Sequence, residues 1–162
     1  MSDKPTDPTD AFDSPDVLTF PPVIYLTFFV IGIITDRALS HSIGFQGFSH
    51  PAGWVLAATG FLIVCWAVTR FIRQKTHVDV RKPATTIVTD GPYRFSRNPM
   101  YLAATLLYAG IVIAYGKMAT LGCLIPCLIV MHYGVIAREE RYLEGKFSDS
   151  YRDYCAKVRR WI

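Results

Sequence analysis

The chain has 162 residues, 51% of them hydrophobic and only 19% charged, with a formal net charge of +4. That length allows one domain, and so apolar a composition supports a membrane protein. The basic residues gather beside apolar blocks, where anionic lipid explains them more simply than nucleic acid does, so no nucleic-acid partner is expected.

Residues 1–16, MSDKPTDPTDAFDSPD, are rich in Pro and Asp and poor in apolar side chains, which predicts a disordered acidic tail. They lack the basic start and small-residue cleavage site of a signal peptide. Residues 17–162 are expected to form a single membrane domain. Their apolar residues fall into four blocks: 20–34, opened by Pro21-Pro22; 54–72, broken only by Thr59, Gly60, Thr69 and Arg70; 100–115; and 118–136. A bilayer core takes roughly 17–25 residues of helix, so the first and third blocks must recruit flanking residues. The third and fourth, separated by Gly116-Lys117, read as a transmembrane hairpin. The expected fold is an all-α integral membrane protein with about four transmembrane helices and a C-terminal cytoplasmic amphipathic helix.

The segment before the hairpin, DGPYRFSRNPMY at 90–101, is the most informative in the chain. Asp90-Gly91-Pro92 makes a tight turn, and Arg94 and Arg97 follow it. Asn98 is the expected N-cap of the next helix and Pro99 its first residue. A helix start carries unpaired N–H groups and partial positive charge, so two arginines beside it suit an anion. Tyr93, Tyr101 and Tyr108 are interface anchors or pocket walls.

In the fourth block Pro126 should kink the helix. Cys123 and Cys127 read as small packing residues, and neither they nor Cys65 and Cys155 form a disulfide or metal pattern, so no metal is expected. His132 lies seven residues before Glu139 and so on the same helical face, more simply a packing histidine than a catalytic one. Arg138-Glu139-Glu140 closes the block, and the hairpin should bring both glutamates opposite Arg94, Arg97 and the Asn98 helix start. Beyond it, Leu143, Phe147, Tyr151, Tyr154, Val158 and Trp161 recur at helical spacing on one face, with a bend or break expected at Gly145 or Ser148. Fourteen of the seventeen Lys and Arg residues lie in 70–97 and 138–160. With four spans, this puts both termini and the loop before the hairpin in the cytoplasm, most simply at a bacterial or archaeal inner membrane.

GPYRFSRNPMY, the hairpin, and then REERYL with Phe147, Tyr151, Tyr154 and Val158 resemble the isoprenylcysteine carboxyl methyltransferase and phospholipid methyltransferase superfamily. The resemblance covers about residues 85–161. It implies an integral membrane methyltransferase using S-adenosylmethionine, held between the loop before the hairpin and the segment after it. Carried over to this chain, the cofactor-binding residues are Tyr93, Arg94, Arg97, Asn98, Pro99, Tyr101, Leu102, Glu139 and Glu140. Many eukaryotic relatives carry His in place of Asn98 and Gly in place of Ser148. Relatives methylate carboxylates, amines and thiols, so the acceptor is expected to be a lipophilic small molecule or lipid, with an isoprenylcysteine-type carboxylate favoured.

Methyl transfer from a sulfonium is a direct displacement, so alignment and exclusion of water supply most of the catalysis. Arg94, Arg97 and the helix start suit the donor's carboxylate, and Glu139 or Glu140 its ammonium. A carboxylate acceptor would need a cation, for which Arg138 is the candidate. An amine acceptor would need a base, for which Glu139 or Glu140 is suited. The alternatives are a non-catalytic membrane scaffold and a membrane reductase with a related C-terminal half, although no nicotinamide motif is present.

Overall fold

The structure, a computed structural model, describes residues 17–39, 49–74 and 84–162; the acidic tail 1–16 lies outside the described residues. It is all-helical there. The helices are α1 Pro21–Ala38, α2 Ser49–Arg73, α3 Pro99–Ala114, α4 Met118–Gly122, α5 Leu124–Met131 and α6 Ala137–Lys157, with a 3-10 turn Gly91–Arg94 before α3 and a π-helical turn His132–Ile136 between α5 and α6.

Three helical stretches are long and apolar enough to cross a membrane: Pro21–Ala38, His50–Arg73 and the near-continuous run Met118–Lys157. The third apolar block forms a helix of only 16 residues. The last run is 40 residues, about 60 Å at 1.5 Å per residue and roughly twice a bilayer core. Its apolar part ends at Ile136, so Arg138, Glu139 and Glu140 lie beyond the spanning portion. The fourth block thus runs into the tail without a loop, and the helix is bent at Ser148.

Local chemistry explains where that run is interrupted. Pro126 has no N–H to give the carbonyl of Gly122, and regular helix fails at Cys123, just ahead of it. The π turn widens the helix and leaves the Gly134 carbonyl free to accept the Leu18 N–H at 2.9 Å. The expected break falls at Ser148, which has φ 42° and ψ −115°, and not at Gly145. The chain turns extended at Val158 (φ −125°, ψ 129°), so Trp161 lies past the helix and does not share its face as the spacing suggested.

Two pairings hold the bundle. α2 lies against α3 almost backbone to backbone: a methyl group at Gly110 would collide with Ala57, and one at Gly53 with Ala114. Such close approach replaces water or lipid with dense dispersion contact. α1 is tied instead to the last run. Near its far end Asp36 accepts hydrogen bonds from the Ala119 N–H (3.1 Å), the Thr120 N–H (3.0 Å) and the Thr120 hydroxyl, capping the start of α4 from another helix. Leu18 supplies the tie at the near end. In the middle, the Tyr25 hydroxyl donates to the Tyr101 carbonyl at 3.1 Å, joining α1 to α3.

Candidate functional site

A cavity of about 500 Å³ lies between α1 and α2, with α3 as its floor. Its walls are apolar, with Leu26, Phe29, Val64, Leu107 and Ile111 among them. One end is polar and is formed by Tyr93, Arg97, Asn98, Tyr101 and Glu139. Residues that the chain separates by about forty positions thus meet where α3 begins and the last run leaves its apolar part.

The loop before α3 takes its shape from Gly91, whose φ of 60° suits glycine, and from Asp90. The Asp90 carboxylate accepts hydrogen bonds from Arg70 Nη1 (3.1 Å) and Gln74 Nε2 (2.9 Å), fixing the loop to the end of α2. Tyr93 is buried against the Phe71 ring, and its carbonyl accepts a 2.7 Å hydrogen bond from the Tyr154 hydroxyl. Burial, helped by the nearby Glu139 charge, pushes the Tyr93 phenol above its usual range. Pro99 opens α3 as expected, but Asn98 does not cap it with its side chain. The Asn98 Nδ2 donates instead to the Arg160 carbonyl at 3.2 Å, because the end of the chain folds back over this loop.

The two glutamates have different surroundings. Glu139 Oε2 accepts a 2.8 Å hydrogen bond from the Tyr101 hydroxyl and lines the cavity. Burial pushes its carboxyl up to about 7, with the Tyr101 hydrogen bond opposing and the Glu140 charge reinforcing the shift. Glu140 points away from the cavity to Arg97 Nη1 (3.2 Å) and to Arg160. Burial works against the Arg97 charge, but the Glu140 carboxylate together with Cys155 and Tyr151 more than offsets it, and the Arg97 pKa is raised. Arg97 Nη1 also donates to Cys155 Sγ at 3.0 Å, while its buried Nε has no hydrogen-bond partner.

Of the other residues expected at this site, Leu102 does not line the cavity, Arg94 is exposed, and Arg138 is half-buried outside the cavity wall. His132 stacks edge-on against Tyr133 at 4.7 Å. The widened π turn between His132 and Glu139 shifts their helical register, and His132 does not line the cavity. Ser96, Tyr154, Cys155 and Arg160 also make contacts at this loop, although the sequence reading gave none of them a place in the site. Their only signal is the tail's aromatic periodicity, and that carries no information about Arg160. Leu143, Phe147, Tyr151, Tyr154 and Val158 do share a cluster, packed with Ile87 from the loop before the 3-10 turn.

A hydrophobic groove that ends in a buried carboxyl and an arginine suits a molecule with an apolar body and a polar head. Comparison with known proteins agrees. The chain is 45% identical over 64 residues to an uncharacterized protein of Haemophilus influenzae, a stretch covering 39% of this chain and 100% of that protein. The family model described as phospholipid methyltransferase matches residues 48–150, from the start of α2 past the kink in α6. The chain therefore belongs to the phospholipid methyltransferase family, within the superfamily that its motifs resemble.

Proposed function

We propose that this protein transfers a methyl group from S-adenosylmethionine to a membrane-embedded acceptor whose polar head reaches Glu139 and Tyr101. The observation that carries this reading is the cavity itself, apolar along its length and polar at one end. The donor fits the residues present: the buried, orphaned Nε of half-buried Arg97 needs an acceptor, which a carboxylate supplies, and the Glu139 carboxyl on the cavity suits a cation. Arg97 and the Asn98–Tyr101 helix start would hold the donor carboxylate, with Tyr93 and Pro99 beside them. S-adenosylmethionine, when bound, supplies a methyl group on a sulfonium, open to direct displacement by an acceptor lone pair.

Glu139 is the base. Its pKa of about 7 lets it take the proton that a lipid amine must lose before its nitrogen can attack, and Tyr101 fixes the orientation of the carboxyl. The apolar walls exclude water from the developing N–C bond and align the acceptor. A carboxylate acceptor of the isoprenylcysteine type is the second reading, favoured by the Arg97 guanidinium on the same cavity. It draws less support from Arg138, which lies outside the wall. The loop before α3 and both termini would face the cytoplasm, where the water-soluble donor is available.

Titrating detergent-solubilised protein with S-adenosylmethionine and with NADPH tests the donor; we expect the first to bind and the second not to. Binding of NADPH alone would establish a reductase, and binding of neither a scaffold. Methyl-labelled donor offered with lipid amines, prenylcysteines and lipophilic thiols then identifies the acceptor.

A further inference from the structure

Glu140 sits between two guanidinium groups. Arg160 reaches it with two nitrogens, Nε to Oε1 at 3.1 Å and Nη2 to Oε2, while Arg97 Nη1 lies 3.2 Å from Oε1. The main chain around Arg160 grips the same loop. The Arg159 carbonyl accepts the Arg97 N–H at 2.9 Å, and the Arg160 carbonyl accepts Asn98 Nδ2 at 3.2 Å and Ser96 Oγ at 3.3 Å. This segment is itself anchored on both sides, by Val158 in the cluster with Tyr151 and Tyr154 and by Trp161 against the core of α1, α3 and α5.

Charge explains why the second arginine matters. One carboxylate shared by two guanidinium groups leaves a net positive charge in the cluster. Without Arg160, Glu140 would pair with Arg97 alone and cancel the charge that faces the cavity. The planar fork of Arg160 occupies both Glu140 oxygens, so Glu140 holds Arg97 by one nitrogen and leaves the rest of that guanidinium in place.

We propose that Arg160 is a positioning residue of the cofactor site: it holds Glu140 and, through Glu140, keeps Arg97 aligned and positively charged beside the cavity. Arg160 lies beyond residues 48–150, the part that the family match covers. The proposal rests on the reading of the cavity's polar end as the S-adenosylmethionine site.

The test is S-adenosylmethionine affinity, measured by calorimetry on the full chain in detergent, alongside thermal unfolding. Arg160→Ala should weaken binding by about tenfold or more, the scale of a lost charge-assisted contact. Arg160→Lys should fall between Arg160→Ala and wild type, since Lys keeps the charge and loses the fork. Because Arg160 acts through Glu140, the double variant Arg160→Ala/Glu140→Gln should bind no more weakly than Glu140→Gln alone. If Arg160→Ala does not fold, Arg160→Gln carries the same expectation. Effects that multiply in the double variant would overturn the proposal. So would a variant that melts earlier yet binds the donor as wild type does. Wild-type protein that fails to bind S-adenosylmethionine would overturn the cofactor reading, and this proposal with it.

Discussion

Glu139 is a carboxyl group that the fold removes from bulk water while leaving it one hydrogen bond, from the Tyr101 hydroxyl at 2.8 Å. Burial that raises its pKa from 4.5 to about 7 favours the fold while the group is protonated. That contribution is complete below pH 4.5 and is lost as pH climbs through about 7. The proposed role runs the other way, because a base must be ionised. Transfer to an amine should therefore rise with pH through about 7 in single-turnover measurements. Tyr101→Phe removes the hydrogen bond that favours the ionised form, so the midpoint should move upward. A midpoint unmoved or lowered in Tyr101→Phe would show that Glu139 is not the titrating group. Arg97 and Arg138 should also separate in a binding assay. Arg97→Ala removes a cation that lines the cavity and should weaken S-adenosylmethionine binding by about tenfold to a hundredfold. Arg138→Ala, outside the wall, should change it by less than about threefold, within the usual spread for residues away from a site.

At the scale of helices, Ser148 is the strained point of the long run, a residue with a side chain held at φ 42°. Glycine adopts such a backbone without the Cβ clash that costs other residues about 1–2 kcal/mol. Ser148→Gly should raise stability by about 1 kcal/mol, read as a higher melting temperature with unchanged donor affinity. A lower melting temperature would mean that the kink is imposed by Ser148 itself. The sequence marked this position, along with the Asp90-Gly91-Pro92 turn and Pro99 at the start of α3, because each depends on the chemistry of a few neighbouring residues. The four apolar blocks and the all-helical fold were legible for the same reason. The π turn was not, since nothing in HYGVI dictates a widened helix; among the described residues it is tied by the Leu18 N–H on the Gly134 carbonyl and by Val135 and Ile136 in the core. Asp36 was equally silent, because its two partners, Ala119 and Thr120, lie more than eighty residues away. Asn98 looked like a cap by residue type, and the returning end of the chain claimed its side chain instead.

Seen whole, the molecule is two tied pairs: α1 with the last run, joined at Leu18 and at Asp36, and α2 with α3, joined through glycine. The groove runs between the pairs, and among the described residues no hydrogen bond crosses directly from α1 to α2. On the proposed reading an acyl chain enters between α1 and α2, above the Tyr25–Tyr101 bond that joins the pairs through α3. Leu26 and Val64 face the cavity from the two sides. In a Cys65→Ser background, joining Leu26→Cys to Val64→Cys with a short bis-maleimide should abolish transfer to a lipid acceptor and leave S-adenosylmethionine affinity unchanged. Full transfer after complete crosslinking would place the acceptor's route elsewhere.

The shortness of α3 sets the depth at which all this happens. Its 16 residues span about 24 Å, against a hydrocarbon thickness of roughly 30 Å. If Tyr115 sits at one boundary of the bilayer, the other face must thin by about 6 Å for the polar end of the cavity to lie outside the hydrocarbon. The bilayer must dimple there or admit water around Arg97 and Glu140, which pair with each other at 3.2 Å while Glu140 also pairs with Arg160. On the proposed reading, a lipid head meets the polar end by dipping slightly into the dimple, and its tails never have to leave the membrane.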